Sequence, residues 1–153
     1  MTSKDITQRL YYYLYKTHYP IVPNSYIYQW ESDLLAIHKN NNYITEYEIK
    51  ISRGDYKNDF KKLEKHNIIK DAFELNCNYN STPNYFYYVT PVGLLDKSEV
   101  PDPFGLIEVG IFRPRIVKKA LIIHKEKTIN GIEVQLLKKV YYKYWNKFKK
   151  NEK

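Results

Sequence analysis

The sequence predicts an α/β or α+β fold, in which a mixed central sheet is flanked by helices. Helical periodicity opens and closes the chain, at residues 4–17 and 128–148. Between these helices lie short segments rich in β-branched and aromatic residues, which favour strands. One of them, residues 30–52, has the alternation and the central turn of a β-hairpin. The 153 residues suffice for one domain, 1–153, with its own hydrophobic core.

The composition indicates a partner with negative charge. Lysine and arginine number 25 against 17 acidic residues, which gives a net charge of +8 and a pI near 9.3. Nucleic acid is the commonest polyanion that such a domain binds. The 17 tyrosines and 6 phenylalanines, interleaved with lysine, suit the stacking of unpaired bases. They equally suit the filling of a core, so both interpretations stay open.

The expected location is the cytoplasm. Cys77 is the single cysteine, so no internal disulfide can form and a reducing compartment fits. The first residues lack the layout of a signal peptide, and no run approaches the ~20 apolar residues that span a bilayer. We therefore expect no membrane partner.

The first helix is predicted from an apolar stripe at helical spacing, formed by Ile6, Leu10, Tyr13, Leu14 and Thr17. Ser3 or Asp5 is the expected N-cap. Pro20 precedes residues 21–25 and Pro23 lies within them, so this segment is predicted to form an extended link. Residues 26–30 are predicted to begin the first core strand.

The hairpin has arms at residues 30–38 and 43–52, joined by the turn at 39–42. Alternation in the second arm puts Glu46, Glu48 and Lys50 on one face. Its other face carries Thr45, Tyr47, Ile49 and Ile51. In the first arm, Glu31 and Asp33 are predicted to face together, at one end of an otherwise apolar strand.

A carboxylate in an apolar strand requires a partner, because its withdrawal from water costs several kcal/mol. Two interpretations account for Asp33 facing Glu48. In one, the two acids and Lys50 form a partly exposed salt-bridge cluster. In the other, the acids bind a hard cation such as Mg²⁺, which prefers one or two carboxylates with waters and phosphate oxygens.

A basic helix is predicted after the hairpin, from a turn at residues 52–55 through about residue 65 or 67. Tyr56, Phe60 and Leu63 share its apolar side. The other side carries the candidate DNA-binding residues Lys57, Lys61, Lys62 and Lys65. Such a charge run also suits a solvated surface, but its position beside the hairpin favours contact with DNA. His66 lies at the helix end, where a cation is favoured.

The remainder of the chain is predicted to complete the sheet. Residues 70–83 indicate a loop, with one strand as an alternative. Three further strands are predicted, at residues 85–90, 105–111 and 116–124. The last helix, 128–148, either packs its apolar face on the body or lies on DNA with its lysines. Glu108 is expected to pair with Lys118 or Lys119.

The hairpin and the helix after it resemble a known enzyme superfamily. Asp33 on one strand, followed by Glu48-Ile49-Lys50 on the next, resembles the core motif of the PD-(D/E)XK nucleases. The wider run over residues 31–66 resembles the small MmcB-like group of that superfamily, which is associated with bacterial DNA repair and is also found in phages. Two features depart from the pattern: Ser32 precedes Asp33 in place of proline, and the first helix offers Asp5 and Gln8 where many members carry glutamate.

The resemblance implies a restriction endonuclease-like sandwich and a Mg²⁺-dependent nuclease, with Mn²⁺ as a substitute metal. Asp33 and Glu48, with Glu31 as a further acid, would bind the metal. Lys50 would orient or activate the attacking water. Secondary candidates are Glu46, Ser52, Arg53, Lys62 and His66.

The expected partner is DNA in a bacterial or phage-infected cell, and its form stays open among duplex, single-stranded and branched. The oligomeric state also stays open, and a homodimer is compatible with the resemblance, since many nucleases of this superfamily act as dimers. Two other functions are compatible with the residues. One is a non-catalytic DNA-binding module on the same fold, and the other is a phage-type protein-interaction factor that binds an acidic partner.

Overall fold

The computed structural model describes residues 1–77, 81–127 and 130–149. Over these ranges six strands form one sheet, in the order of the chain. They are β1 (His18–Ser25), β2 (Ser32–His38), β3 (Ile44–Ile49), β4 (Tyr85–Pro91), β5 (Gly105–Val109) and β6 (Arg115–Lys118). The β3–β4 and β4–β5 pairs are parallel, and the other pairs are antiparallel. The predicted mixed central sheet is therefore confirmed.

Four α-helices flank this sheet in the described ranges: α1 (Ser3–Leu14), α2 (Arg53–Asp59), α3 (Leu63–Leu75) and α4 (Asn130–Lys149). The apolar residues of α1 pack with Leu34, Ile49 and Ile107 on one face of the sheet. On the opposite face, Ile69 of α3 and Leu136 of α4 join a second apolar cluster with the strands. The result is an α+β sandwich, as predicted, with none of its described helices both long and apolar enough to cross a bilayer.

The start of the chain differs from the prediction in its boundaries. Thr2 is the N-cap of α1, with its side chain accepting from the Asp5 amide, and α1 ends at Leu14. The predicted link at residues 21–25 is part of β1, and residues 26–30 form no strand. The prolines of β1 are tolerated because this strand lies at the edge of the sheet, where unmade ladder bonds face solvent.

The basic helix predicted after the hairpin is in fact two helices. α2 ends at Asp59, and α3 starts at Leu63 and continues to Leu75, where a loop was predicted. Asn76 then adopts a left-handed conformation, with φ of 51°, which is a common way to end a helix. Ile69 and Ala72 hold this second helix against the sheet, and residues 78–80 of the predicted loop lie outside the described residues.

The C-terminal strands are shorter than predicted. β5 ends at Val109, and the strand predicted at 116–124 is limited to Arg115–Lys118. Glu108 pairs with Arg115, at 3.1 Å between Oε2 and Nη2, and not with the two predicted lysines. The start predicted for the last helix, Thr128, lies outside the described residues.

Candidate functional site

The hairpin register places the predicted acids as the alternation requires. Leu34 pairs with Tyr47 and Leu35 with Glu46, so β2 and β3 are antiparallel neighbours. Tyr47 packs in the cluster beneath α1, while Glu46 and Glu48 point to the other face of the sheet, as predicted. Asp33 lies at the open end of this pair, where its Oδ2 accepts a hydrogen bond of 2.8 Å from the Ile49 amide.

An open cleft of about 990 Å³ lies at this end of the hairpin. Asp33, Glu48 and Lys50 all line it, so the structure brings the three predicted core residues together. Its border includes Gln8 of α1 and Lys147 of α4. The cleft is large enough for a few nucleotides of a ligand and is bordered by both polar and cationic groups.

Lys50 is held as a cation at the buried side of the cleft. Its Nζ lies 2.9 Å from Oε1 of Glu48 and 3.4 Å from Oδ1 of Asp59. Burial is the largest single effect and disfavours the charged amine, but the charge and hydrogen bond of Glu48 together with the charges of Asp59 and Asp55 outweigh it and raise the pKa of Lys50. Lys50 therefore carries a proton at neutral pH and offers a fixed positive charge to the cleft.

Asp59 is a central residue that the sequence analysis did not single out. Its side chain is inaccessible to solvent and accepts from the hydroxyl of Tyr88 at 2.6 Å, with His66 Nε2 at 3.1 Å. Burial opposes its ionisation, yet these partners and the charge of Lys65 lower the pKa of Asp59. The sequence did contain a signal, because Asp59 falls between Tyr56 and Phe60 on the apolar side of the predicted helix.

The prediction that Lys65 lies on an exposed basic surface is wrong. Its side chain is only 2% exposed, and its Nζ lies 3.2 Å from Oδ1 of Asp59 and 3.8 Å from Oε2 of Glu48. The amine also sits 4.9 Å from the centre of the Phe86 ring. Lys65 thus balances buried carboxylates and is unavailable for phosphate. Helix α3 turns it inward because the chain breaks between the two helices. The other three predicted DNA-binding candidates, Lys57, Lys61 and Lys62, are exposed.

The two remaining predicted acids lie outside the cleft lining. Glu46 is wholly buried behind Glu48 and accepts from Nε1 of Trp30 at 2.9 Å. Burial raises the pKa of Glu46 to about 8, so it is mostly protonated at neutral pH. Glu31 precedes β2 and is exposed to solvent. The structure therefore does not bring Glu31 together with Asp33, although the sequence predicted a shared face.

Three secondary candidates support the helices that border the site. Ser52 caps α2, with its Oγ accepting from the Asp55 amide at 3.0 Å. Arg53 is paired with Glu99 and donates to the Leu94 carbonyl at 2.9 Å. His66 holds Asp59, as described above, and does not line the cleft. These contacts assign all three to the structural surroundings of the cleft.

The two cleft carboxylates fit one hard cation that keeps part of its water shell. Burial raises the pKa of both Asp33 and Glu48, and the charge of Asp33 adds to the effect on Glu48. Oε2 of Glu48 accepts no hydrogen bond from any described residue. The described residues contain no group of three or more His, Cys, Asp or Glu side chains that could hold a metal. Mg²⁺ suits this donor set, since it uses one or two carboxylates with waters and phosphate oxygens.

Comparison with known proteins informs the fold. No family model matches the chain, and no curated protein matches it. A solved structure does: a protein of unknown function from Silicibacter pomeroyi has the same fold with a TM-score of 0.63 and 14% identity, and the match covers 97% of this chain and 90% of that one. At this identity the likeness defines a common fold and no activity.

Proposed function

We propose that this chain is a Mg²⁺-dependent nuclease that hydrolyses phosphodiester bonds in DNA, in repair, recombination or phage DNA metabolism. The observation that carries the proposal is the meeting of Asp33, Glu48 and Lys50 in one cleft. Two carboxylates that can hold a metal ion, beside a charged lysine, can support the hydrolysis of a phosphodiester. The resemblance to the PD-(D/E)XK nucleases assigns the same three residues.

The roles follow from the charge of each group. Asp33 and Glu48 would hold Mg²⁺, which when bound would neutralise charge on the scissile phosphate. Lys50 is protonated, so it donates hydrogen bonds and does not act as a base. It would orient the attacking water and stabilise the negative charge that develops on phosphate oxygens. The expected products are a phosphate monoester and a free hydroxyl.

The buried network fixes Lys50 in this role. Glu48 and Asp59 hold its Nζ from two sides, so the amine loses little conformational freedom when substrate binds. Asp59 itself is held by Tyr88 and Lys65. We assign Asp59 as a positioning residue, which acts on substrate through Lys50.

A non-catalytic DNA-binding module is the second candidate. It is favoured by the residue at the α1 border of the cleft, which is Gln8 and not a carboxylate. The internal pairing of Glu48 with Lys50 would then be a structural salt bridge. This candidate retains DNA binding through the exposed lysines but predicts no cutting.

The test compares wild type with Lys50→Met on labelled duplex, single-stranded and branched DNA, with Mg²⁺, Mn²⁺ or EDTA. Lys70→Met is the matched control, because Lys70 is an exposed lysine of α3. We expect wild type and the control to cut with either metal and not with EDTA. Lys50→Met is expected to lower kcat by about 10²–10³-fold, the typical loss of one transition-state donor.

Measurements of folding and of DNA binding distinguish the possible reasons for a loss of cutting. Circular dichroism verifies that Lys50→Met is folded. If Lys50→Met is unfolded, Lys50→Arg replaces it in the cutting assay, because arginine keeps the positive charge. DNA affinity in EDTA should change by less than about threefold, because most of the basic surface is intact. Binding by wild type without cutting in any metal would favour the non-catalytic module. Equal cutting by wild type and folded Lys50→Met would refute the proposed site.

A further inference from the structure

Helix α4 uses one narrow stripe to attach to the body. Leu136 is fully buried in the apolar cluster, and Ile132 packs against that cluster. Nζ of Lys143 donates to the carbonyls of Pro23 and Asn24, both at 2.8 Å. Successive helical residues are ~100° apart, so these attachment points fall on one side of the helix. The opposite side faces solvent.

That outward side carries a continuous group of aromatic rings, which we call the α4 aromatic face and define as Tyr141, Tyr142, Tyr144, Trp145 and Phe148. These residues are between 47% and 59% exposed. Ring centres are 5.4 Å apart for Tyr144 and Trp145 and 5.6 Å apart for Trp145 and Phe148. Exposed rings in contact with each other form an apolar patch, and such patches mark binding surfaces.

The charges of the helix decide which partner fits the patch. Val134, Leu137, Tyr141, Tyr144 and Phe148 have the alternating three- and four-residue spacing of a coiled-coil seam, which would suit a second copy of the chain. The described part of α4, however, carries five lysines and one acid: Lys138, Lys139, Lys143, Lys147, Lys149 and Glu133. A second copy would bring the same positive charge to the interface. A polyanion with aromatic bases complements both the charge and the rings.

Helix α4 also borders the candidate site. Lys147, four residues after Lys143 and so on the attachment side of the helix, lines the same cleft as Asp33 and Glu48. The segment from 141 to 148 rises ~10 Å along the helix, which at ~3.4 Å per stacked nucleotide corresponds to about three bases. The helix that carries the rings therefore borders the cleft on its other side.

We propose that the α4 aromatic face binds an unpaired DNA strand, by stacking bases on the rings and pairing phosphates with the flanking lysines. The inference rests on the proposed function, since it names single-stranded DNA as the substrate class of the same cleft. Duplex DNA does not fit this mode, because its bases are already stacked within the helix. The preference for unpaired DNA follows from the rings, and the lysines contribute affinity without regard to strandedness.

The experiment measures binding in EDTA, where no metal-dependent cutting occurs. Fluorescence anisotropy follows a labelled oligo(dT) and a duplex of equal length with wild type and with Trp145→Leu/Phe148→Leu, which keeps apolar helix formers at both positions. Tyr12→Leu is the control, because Tyr12 is a 64% exposed helical tyrosine on α1. The double variant should bind oligo(dT) at least tenfold more weakly, and the duplex within about threefold of wild type. The control should match wild type on both.

A second readout identifies stacking directly. Trp30 is buried and Trp145 is 47% exposed, so oligo(dT) should quench the fluorescence of Trp145 in wild type. The slope of affinity against salt should stay the same in the leucine variant, because no lysine has been removed. With Mg²⁺, the variant should raise KM for single-stranded substrate and leave kcat unchanged.

Three results would overturn the inference: unchanged affinity of the leucine variant for oligo(dT), an equal loss for the duplex, or a wild-type dimer that the leucine substitutions dissociate in sedimentation. The outcome for the proposed function is separate. Wild type that binds as expected but cuts no DNA contradicts the nuclease alone. Wild type that cuts, with leucine variants that bind normally, contradicts the assignment of α4 alone.

Discussion

The replacement Glu46→Gln tests the electrostatics of the site in a stability measurement. Glu46 is wholly buried next to Glu48, and burial raises its pKa to about 8 from the ordinary 4.5. In the folded protein it therefore binds a proton that the unfolded chain has released at neutral pH. Glutamine has nearly the shape of the protonated acid and keeps an oxygen that accepts from Trp30.

The sign and the size follow from the two pKa values. A raised pKa means that the stability contributed by Glu46 is fully present below pH 4.5 and is lost as the pH rises through about 8. Each pH unit in this window changes the free energy of unfolding by about 1.4 kcal/mol. Glutamine does not titrate. The free energy of unfolding of Glu46→Gln, relative to that of wild type, should therefore rise by about 3 kcal/mol between pH 5 and pH 7.

The assay is urea unfolding followed by far-ultraviolet circular dichroism at several pH values between 5 and 8. Glu64→Gln is the control, because Glu64 is an exposed acid in the first turn of α3. The difference between the control and wild type should be nearly constant with pH. If the difference between Glu46→Gln and wild type is equally constant, Glu46 is ionised in the folded state and the reasoning is refuted.

Three further stability predictions use the same urea assay. Asp59→Asn should lower the free energy of unfolding by about 3–5 kcal/mol at neutral pH, because it leaves buried lysines without their carboxylate. Since the pKa of Asp59 is lowered in the folded state, wild type keeps this advantage above pH 3.8 and loses it as the pH falls below that value. Thr2→Ala should lower it by about 1 kcal/mol through loss of the α1 cap, and an unchanged midpoint would contradict that role. Gly105→Ala should lower it by about 1–3 kcal/mol, because the added methyl carbon would lie 2.6 Å from the backbone nitrogen of Ala120; a variant as stable as wild type would show that β5 shifts freely.

The hairpin could be read from the sequence because its information is local. Side chains alternate along any strand, so the shared face of Glu46, Glu48 and Lys50 follows from their spacing alone. Asp33 joins them because a short turn fixes which residues of the two arms are opposite. The strand at residues 85–90 was equally local, since its aromatic and branched residues favour an extended chain.

Helix boundaries were less accessible to the same reasoning. The break at residues 60–62 has no proline or glycine, and it separates two stretches that each have helical spacing. The continuation of α3 to Leu75 depends on the burial of Ile69 and Ala72 against strands distant in the sequence. Tertiary packing decided these ends, because it stabilises a helix more than intrinsic propensity does.

The sequence by itself determined the mixed sheet between helices, the hairpin, and three of the residues that line the cleft, Asp33, Glu48 and Lys50. The tertiary structure decided which charges are buried with them. Asp59 of α2 and Lys65 of α3 enter the network because both helices pack over the sheet, and Glu31 stays in solvent because β2 begins one residue later. Burial of a charge is a property of everything that surrounds it, so local spacing cannot reveal it.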